Sequence, residues 1–222
     1  MISEDTFFGR LDEQERAELL ALGGRRSFAA GTILILQGEV DDDRLILLLD
    51  GRAKVTRTAE DDHELMLAIR DAGELLGELA FIDGQPRIAS VTALEPVEAL
   101  VFSASRFRSF LHSAPRVAVV LLESVTSRFR DSTVKRLEFA ASDTLGRLAA
   151  RIIELADRYG EPTDAGIAVA MPISQDELAS WTGASRAGVA QGLQTMRELG
   201  WLSTERRRLI VHDPSAVRDR AA

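Results

Sequence analysis

The chain contains no cysteine. That absence excludes disulfides, thiolate-bound iron–sulfur clusters, cysteine zinc sites, a cysteine-ligated haem and a cysteine nucleophile. Histidine is nearly as scarce. His63, His112 and His212 lie far apart, so a histidine-built metal centre is not expected. Long apolar runs are missing too: a run such as Leu45 to Leu49 is strand-sized, whereas a membrane span needs roughly 20 residues. The N-terminus, Met-Ile-Ser-Glu-Asp-Thr-Phe-Phe-Gly-Arg, has neither the basic start nor the apolar core of a signal peptide. These absences predict a cytoplasmic protein with no membrane partner and no metal, haem or cluster.

Lysine is the other rarity. Arginine supplies 25 of the 27 basic groups, a bias that suits bidentate recognition. The net charge of −8 argues at first against a nucleic-acid partner, but the charge is unevenly spread. Residues 1–141 carry 17 basic and 24 acidic side chains, a net of −7. Residues 142–222 carry 10 and 11, a net of −1. Within 184–211, five arginines face only Glu198 and Glu205, a net of +3. With 222 residues, 45% of them hydrophobic, two small soluble domains fit better than one large one.

Residues 5–22 read as a short amphipathic helix with Phe7, Phe8, Leu11, Leu19, Leu20 and Leu22 as its apolar face. From Arg25 to Ser103 the texture is β. Runs at 26–28, 32–36, 44–49, 53–57, 64–69, 89–93 and 97–102 alternate with turns such as Ala30-Gly31, Gln37-Gly38-Glu39 and Asp50-Gly51. Short, regularly punctuated strands predict an antiparallel roll. A short helix follows at 105–112. Pro115 then suits the first turn of a long helix to about Ala141. Leu122, Val125, Phe129, Ser132, Arg136 and Phe139 follow the 3–4 spacing of a coiled-coil seam. Periodicity alone also allows a helix packed on its own roll. A length of about 40 Å exceeds what a small roll covers and favours a homodimer seam.

Ser142-Asp143 signals a new helix over 144–159, followed by a loop at Glu161–Gly166 and a strand at Ala168–Met171. Ser174 caps a further helix, with Glu177 completing a capping box. Gly183 allows a tight turn, Ser185 caps a second helix, and Val189, Leu193 and Met196 give it a buried stripe. This order is a helix-turn-helix pattern. Arg186, just after the cap, is placed for guanine N7 and O6; Gln191 is placed to reach a base, and Ala187 at most a thymine methyl. Strands at 201–203 and 209–212 flank Thr204-Glu205-Arg206-Arg207-Arg208, a wing whose arginine tip suits phosphates. The DNA-contacting set is therefore Ser174, Ser185, Arg186, Ala187, Gln191, Arg206, Arg207 and Arg208, with double-stranded, near-palindromic DNA as the partner.

In the front half, residues 76–91 read Leu-Gly-Glu-Leu-Ala-Phe-Ile-Asp-Gly-Gln-Pro-Arg-Ile-Ala-Ser-Val. Gly77 permits close backbone approach, Leu79–Ile82 forms one helical turn, and a helix N-terminus favours an anion. Arg87 would neutralise that anion, while Glu78 suits ribose hydroxyls. The ligand these residues describe has a phosphate and a sugar.

The chain here resembles the CRP/FNR family of bacterial transcription regulators, over nearly its whole length. Gly-Glu-Leu-Ala followed by Gly-Gln-Pro-Arg resembles the family's phosphate-binding cassette. Asp143-Thr-Leu-Gly-Arg-Leu-Ala resembles the start of its DNA-binding domain, and Ser185-Arg186 the start of its recognition helix. The resemblance implies an α+β chain: an N-terminal antiparallel β-roll of the cyclic-nucleotide-binding type (1–114), a long dimerisation helix (115–141) and a C-terminal winged helix-turn-helix (142–222). It implies a cyclic-nucleotide effector of the cyclic-AMP kind, held by the cassette residues Gly77, Glu78, Leu79, Ala80, Arg87, Ile88 and Ala89. Gly77 and Glu78 would meet the ribose, and Arg87 and the Ala89 N–H the phosphate. Ser132 and Thr133 would meet the base, with Arg128 one turn earlier.

Two positions depart from the family pattern. Ile88 stands where cyclic-AMP binders usually carry a serine or threonine. Ala187 and Gln191 stand where an acidic residue and a second arginine are usual. A gated, dimeric transcription regulator is the leading expectation, and an activator among them would also contact RNA polymerase. A regulator working without a nucleotide is the alternative within the family. A nucleotide-gated subunit acting on a protein is disfavoured by the helix-turn-helix. A cupin-like metal enzyme is disfavoured because only His63 falls within the roll; the chain is not expected to be an enzyme.

Overall fold

The computed structural model describes residues 2–40, 42–59, 63–170, 173–205 and 208–221. The chain forms two compact units, residues 1–130 and 131–222. The first unit carries the roll: β1 (Gly24–Phe28), β2 (Ile33–Ile35), β3 (Arg44–Asp50), β4 (Ala53–Thr58), β5 (Glu64–Arg70), β6 (Leu75–Leu76), β7 (Ser90–Ala93) and β8 (Val97–Ser103). They form two four-stranded sheets, ordered β1-β8-β3-β6 and β2-β7-β4-β5, with every pair antiparallel. Each strand expected from the turn signals is present within two residues of its expected ends, and β6 is an addition.

The β3 strand, Arg-Leu-Ile-Leu-Leu-Leu-Asp, is apolar throughout because both of its faces are covered. Leu45 and Leu47 point into one core with Phe7, Phe102, Phe107 and Val117. Ile46 and Leu48 point into a second core with Leu34, Ala53, Val91 and Ala99. β8 divides in the same way, Leu100 and Phe102 to the first core and Val97 and Ala99 to the second.

Helix α1 spans Glu13–Leu20, so the amphipathic helix expected over 5–22 is shorter. Its start is fixed by Asp12, which accepts from the Glu15 N–H at 2.8 Å while Glu15 accepts from the Asp12 N–H at 2.9 Å. Phe7, Phe8 and Leu11 still reach the core, from turns ahead of the helix. Helix α2 (Glu78–Asp83) lies in the cassette and α3 (Ala104–Ser113) follows β8. Helix α4 runs continuously from Pro115 to Ala141, as expected, and belongs to both units.

The second unit contains α5 (Thr144–Tyr159), β9 (Gly160–Thr163), β10 (Gly166–Val169), α6 (Gln175–Thr182), α7 (Arg186–Glu198), β11 (Leu202–Glu205), β12 (Arg208–Val211) and α8 (Pro214–Ala221). Its sheet is ordered β11-β12-β10-β9. The loop expected at Glu161–Gly166 is corrected: residues 160–163 pair with β10, and Pro162 is tolerated there because β9 is an edge strand. The strand expected at 168–171 is Gly166–Val169, with Met171 outside the described residues. Helix α8 was not expected. Pro214 opens it, and Arg218 pairs with Asp157 at 2.9 Å. No helix of the described residues is long and apolar enough to cross a membrane.

Leu47 is fully buried where the sheet meets the helical layer. Leu47→Ala is expected to cost about 2–5 kcal/mol of unfolding free energy. Urea titration of the variant checks this, and a loss below about 1 kcal/mol would contradict the two-faced packing of β3.

Candidate effector cassette and nucleic-acid interface

In the cassette, Gly77 adopts φ +84° as the residue before α2. A Cβ built there would lie 2.4 Å from Arg87 Nη1, so glycine is required both for conformation and for space. Arg87 is buried, 5% exposed. Its Nη1 donates to the Gly77 carbonyl at 2.8 Å, and its Nη2 to the carbonyls of Asp42 at 2.8 Å and Arg44 at 2.5 Å. The Asp42 carboxylate lies 3.3 Å from Nη2. Arg87 Nε is buried and has no hydrogen-bond partner.

Glu78 is also buried, and its Oε1 accepts from Arg128 Nη1 at 2.7 Å. Arg128 Nη2 reaches Glu74 Oε2 at 3.0 Å and the Leu75 carbonyl at 3.1 Å. The sequence motif thus folds into two linked clusters, one around Arg87 and one around Arg128. Leu79 and Ile88 are exposed, Ala80 is half-buried and Ala89 is buried. Ser132 and Thr133 lie on α4 one turn beyond Arg128, both exposed. Asp42 and Glu74 were missed by the sequence reading. Asp42 belongs to the run of aspartates before β3, and Glu74 lies four residues before Glu78.

The stripe on α4 is shifted from the expected seam. Val125 packs against the roll core with Val117, Val120 and Leu121. The exposed apolar positions up to Phe129 are Val119, Leu122 and Phe129 itself, at spacings of three and seven; Val134 and Leu137 are exposed further along. Phe139 lies under the Arg147 guanidinium, 4.3 Å from its ring centre.

In the second unit, Ser174 Oγ accepts from the Glu177 N–H at 3.1 Å, and Ser185 Oγ from the Gly188 N–H at 3.0 Å. Between the two helices Gly183 adopts φ +58°, which ends α6. Val189, Leu193 and Met196 are buried, while Arg186, Ala187 and Gln191 are exposed on α7. Arg186 Nε lies 3.3 Å from Asp176 Oδ1. Strands β11 and β12 form the wing, and Arg197 Nη1 donates to Thr204 Oγ1 at 3.0 Å. Arg208 is exposed at the start of β12; Arg206 and Arg207 lie outside the described residues. Among the described residues no group of three or more metal-binding side chains occurs.

A two-sheet roll, a long helix and a winged helix-turn-helix define a ligand-binding-type module joined to a DNA-binding one. Residues 25–114 match the cyclic nucleotide-binding domain, and residues 146–220 match the Crp-like helix-turn-helix domain. The chain is 29% identical over 194 residues to a CRP-like cAMP-activated global transcriptional regulator of Mycobacterium tuberculosis, covering 87% of this chain and 86% of that one. It is 26% identical over 177 residues to the global nitrogen regulator of Synechocystis, covering 79% of each. Its fold matches the solved c-di-GMP-responsive global regulator CLP of Xanthomonas campestris with a TM-score of 0.80 at 22% identity, over 90% of this chain and 99% of that one. The chain belongs to the CRP/FNR family and is a transcription regulator with a DNA-binding helix-turn-helix.

The Asp42 carboxyl sits below its ordinary value. Burial works to raise it, but hydrogen bonds from Arg44 and the charges of Arg87 and Arg44 outweigh burial. A carboxylate depressed on folding contributes stability above its unfolded pKa of about 4, and that contribution is lost as pH falls through the folded value. Asp42→Asn is therefore expected to lower the melting temperature near pH 7 and to differ less from wild type near pH 3. Calorimetry at the two values checks this; an equal gap at both would contradict it.

Proposed function

We propose that the protein is a homodimeric, cytoplasmic, effector-gated regulator that binds a near-palindromic DNA site, with no enzymatic activity of its own. The observation that carries the DNA reading is the face of α7, where Arg186 and Gln191 are exposed opposite the buried Val189, Leu193 and Met196. Two such helices related by a two-fold would read half-sites roughly 34 Å apart. The wing arginines would add phosphate contacts, and an activating form would present a further surface to RNA polymerase.

The unit boundaries of this reading are a ligand roll at 1–114, a dimerising helix at 115–141 and a DNA-binding domain at 142–222. Val119, Leu122 and Phe129 are exposed apolar positions on the helix, spaced three and seven apart. Phe129→Glu is expected to convert the dimer to monomer and to reduce DNA affinity at least tenfold, because a charge desolvated in an apolar seam is unfavourable. Sedimentation and fluorescence anisotropy measure both. A wild type that is monomeric at micromolar concentration would refute the seam.

A cyclic nucleotide fits the cassette in two respects. The Arg87 Nε is a buried donor without an acceptor, and the Gly77 backbone leaves no Cβ in the cradle. A phosphate would take that donor with the Ala89 N–H, and the ribose hydroxyls would meet Glu78. Leu79 and Ala80 form the turn above. The ligand would then act on Arg128 through Glu78, and so on α4. The M. tuberculosis relative is cAMP-activated, which supports a cyclic-nucleotide effector here.

Two observations favour the second reading, a regulator that works without a nucleotide. Asp42 already places a negative charge against Arg87, and Ile88 offers no hydroxyl to a phosphate. A lost charge-assisted hydrogen bond is worth roughly 1.5–3 kcal/mol, or about 10- to 150-fold in affinity. Cyclic AMP is therefore expected to bind weakly, Ile88→Ser to tighten it at least tenfold, and Arg87→Ala to abolish that gain. Isothermal calorimetry on the three proteins decides. Tight binding by wild type would show the hydroxyl dispensable, and no binding even by Ile88→Ser would favour the nucleotide-free reading.

A further inference from the structure

Arg186 has a carboxylate beside it that comes from another helix. Its Nε lies 3.3 Å from Oδ1 of Asp176, the second residue of α6. The residue following Arg186 is Ala187, so the neighbouring position in sequence offers no acid. Both partners are largely exposed, 73% and 66% at the side chain. A pair so exposed has little value for stability. What it does have is direction. The guanidinium carries five donors in a rigid fork. The Asp176 charge nearest Nε draws that edge of the guanidinium toward α6, and the opposite Nη1/Nη2 end matches guanine O6 and N7.

We propose that Asp176 is a specificity-determining residue that orients Arg186 for end-on reading of a guanine. The proposal rests on the DNA-binding reading above and adds a residue to it. In a helix-turn-helix the first helix crosses the DNA backbone, so the Asp176 charge also opposes the phosphates of every sequence. Asp176 thereby trades general affinity for discrimination. Its effects on the two should have opposite signs, which a purely structural role at the start of α6 would not produce. Such a role, through capping and the helix dipole, would lower the melting temperature and weaken all DNA binding together.

The test uses the full-length chain with cyclic AMP present and a library of duplexes randomised across two half-sites. Arg186→Ala should erase the guanine preference at one position in each half-site. Asp176→Ala should lower the preference at that same position by about two- to five-fold, the scale of an exposed ion pair. Affinity for an unrelated duplex should stay equal or tighten, and Asp176→Asn, which removes the charge beside Nε, should lower the preference as Asp176→Ala does. In an Arg186→Ala background, Asp176→Ala should change nothing at that position. Tighter specific binding with undiminished preference would make Asp176 a competitor of DNA and overturn the proposal. So would no change, or a joint loss of both affinities with a fall in melting temperature. If Arg186→Ala alters no base position, the reading of Arg186 fails first and this proposal with it.

Discussion

The guanidinium of Arg128 is the constraint on which much of the first unit turns. It bridges Glu78 at 2.7 Å and Glu74 at 3.0 Å and donates to the Leu75 carbonyl at 3.1 Å. Glu78 is buried, and loss of its partner would leave a carboxylate without compensation, a far larger penalty than an exposed pair carries. The same bridge fixes the rotation of α4 about its axis. Val117, Val120 and Leu121 are buried, and Val125 packs on the same core. With that face inward, Val119 and Leu122 are left exposed. An apolar outer stripe is thus a consequence of where the inner face is held.

Arg87 plays a different part in the cassette. Its guanidinium satisfies three carbonyls from two separate loops, which ties the segment before β3 to the turn before α2. Closing such contacts across 43 and 45 positions orders backbone that would otherwise be loose. Only the Nε edge is left without an acceptor. On the proposed effector reading, structure and ligand recognition would compete for this one side chain, against which the Asp42 carboxylate already lies.

Much of this was legible in the residues. Asp50-Gly51 and the other turn pairs marked the strand ends, but the cover on both faces of β3 was not foreseen. Ser174, Ser185 and Asp143 marked helix starts because their side chains have few other partners so well placed. The cassette and the recognition helix were recognisable as motifs. What was not legible was contact over distance. Nothing adjacent to Arg87 names Asp42, and nothing adjacent to Arg186 names Asp176. The two-residue β6 and the edge strand β9 carry too little periodicity to register, and a proline such as Pro162 is tolerated in a strand only at an edge. Val125 looked like a seam residue because a helix with apolar residues on two sides has no unique face in sequence alone.

The account rests most heavily on Arg128 as the link from the cassette to the long helix. Coupling between sites is reciprocal in binding free energy, so it can be read as one ratio. The measurement is the affinity of the protein for its selected DNA site, with and without saturating cyclic AMP, in wild type and in Arg128→Gln. The account predicts that cyclic AMP raises the wild-type affinity and that the ratio falls to about one in Arg128→Gln. An undiminished ratio in Arg128→Gln would show that the signal reaches the DNA-binding helices by another route.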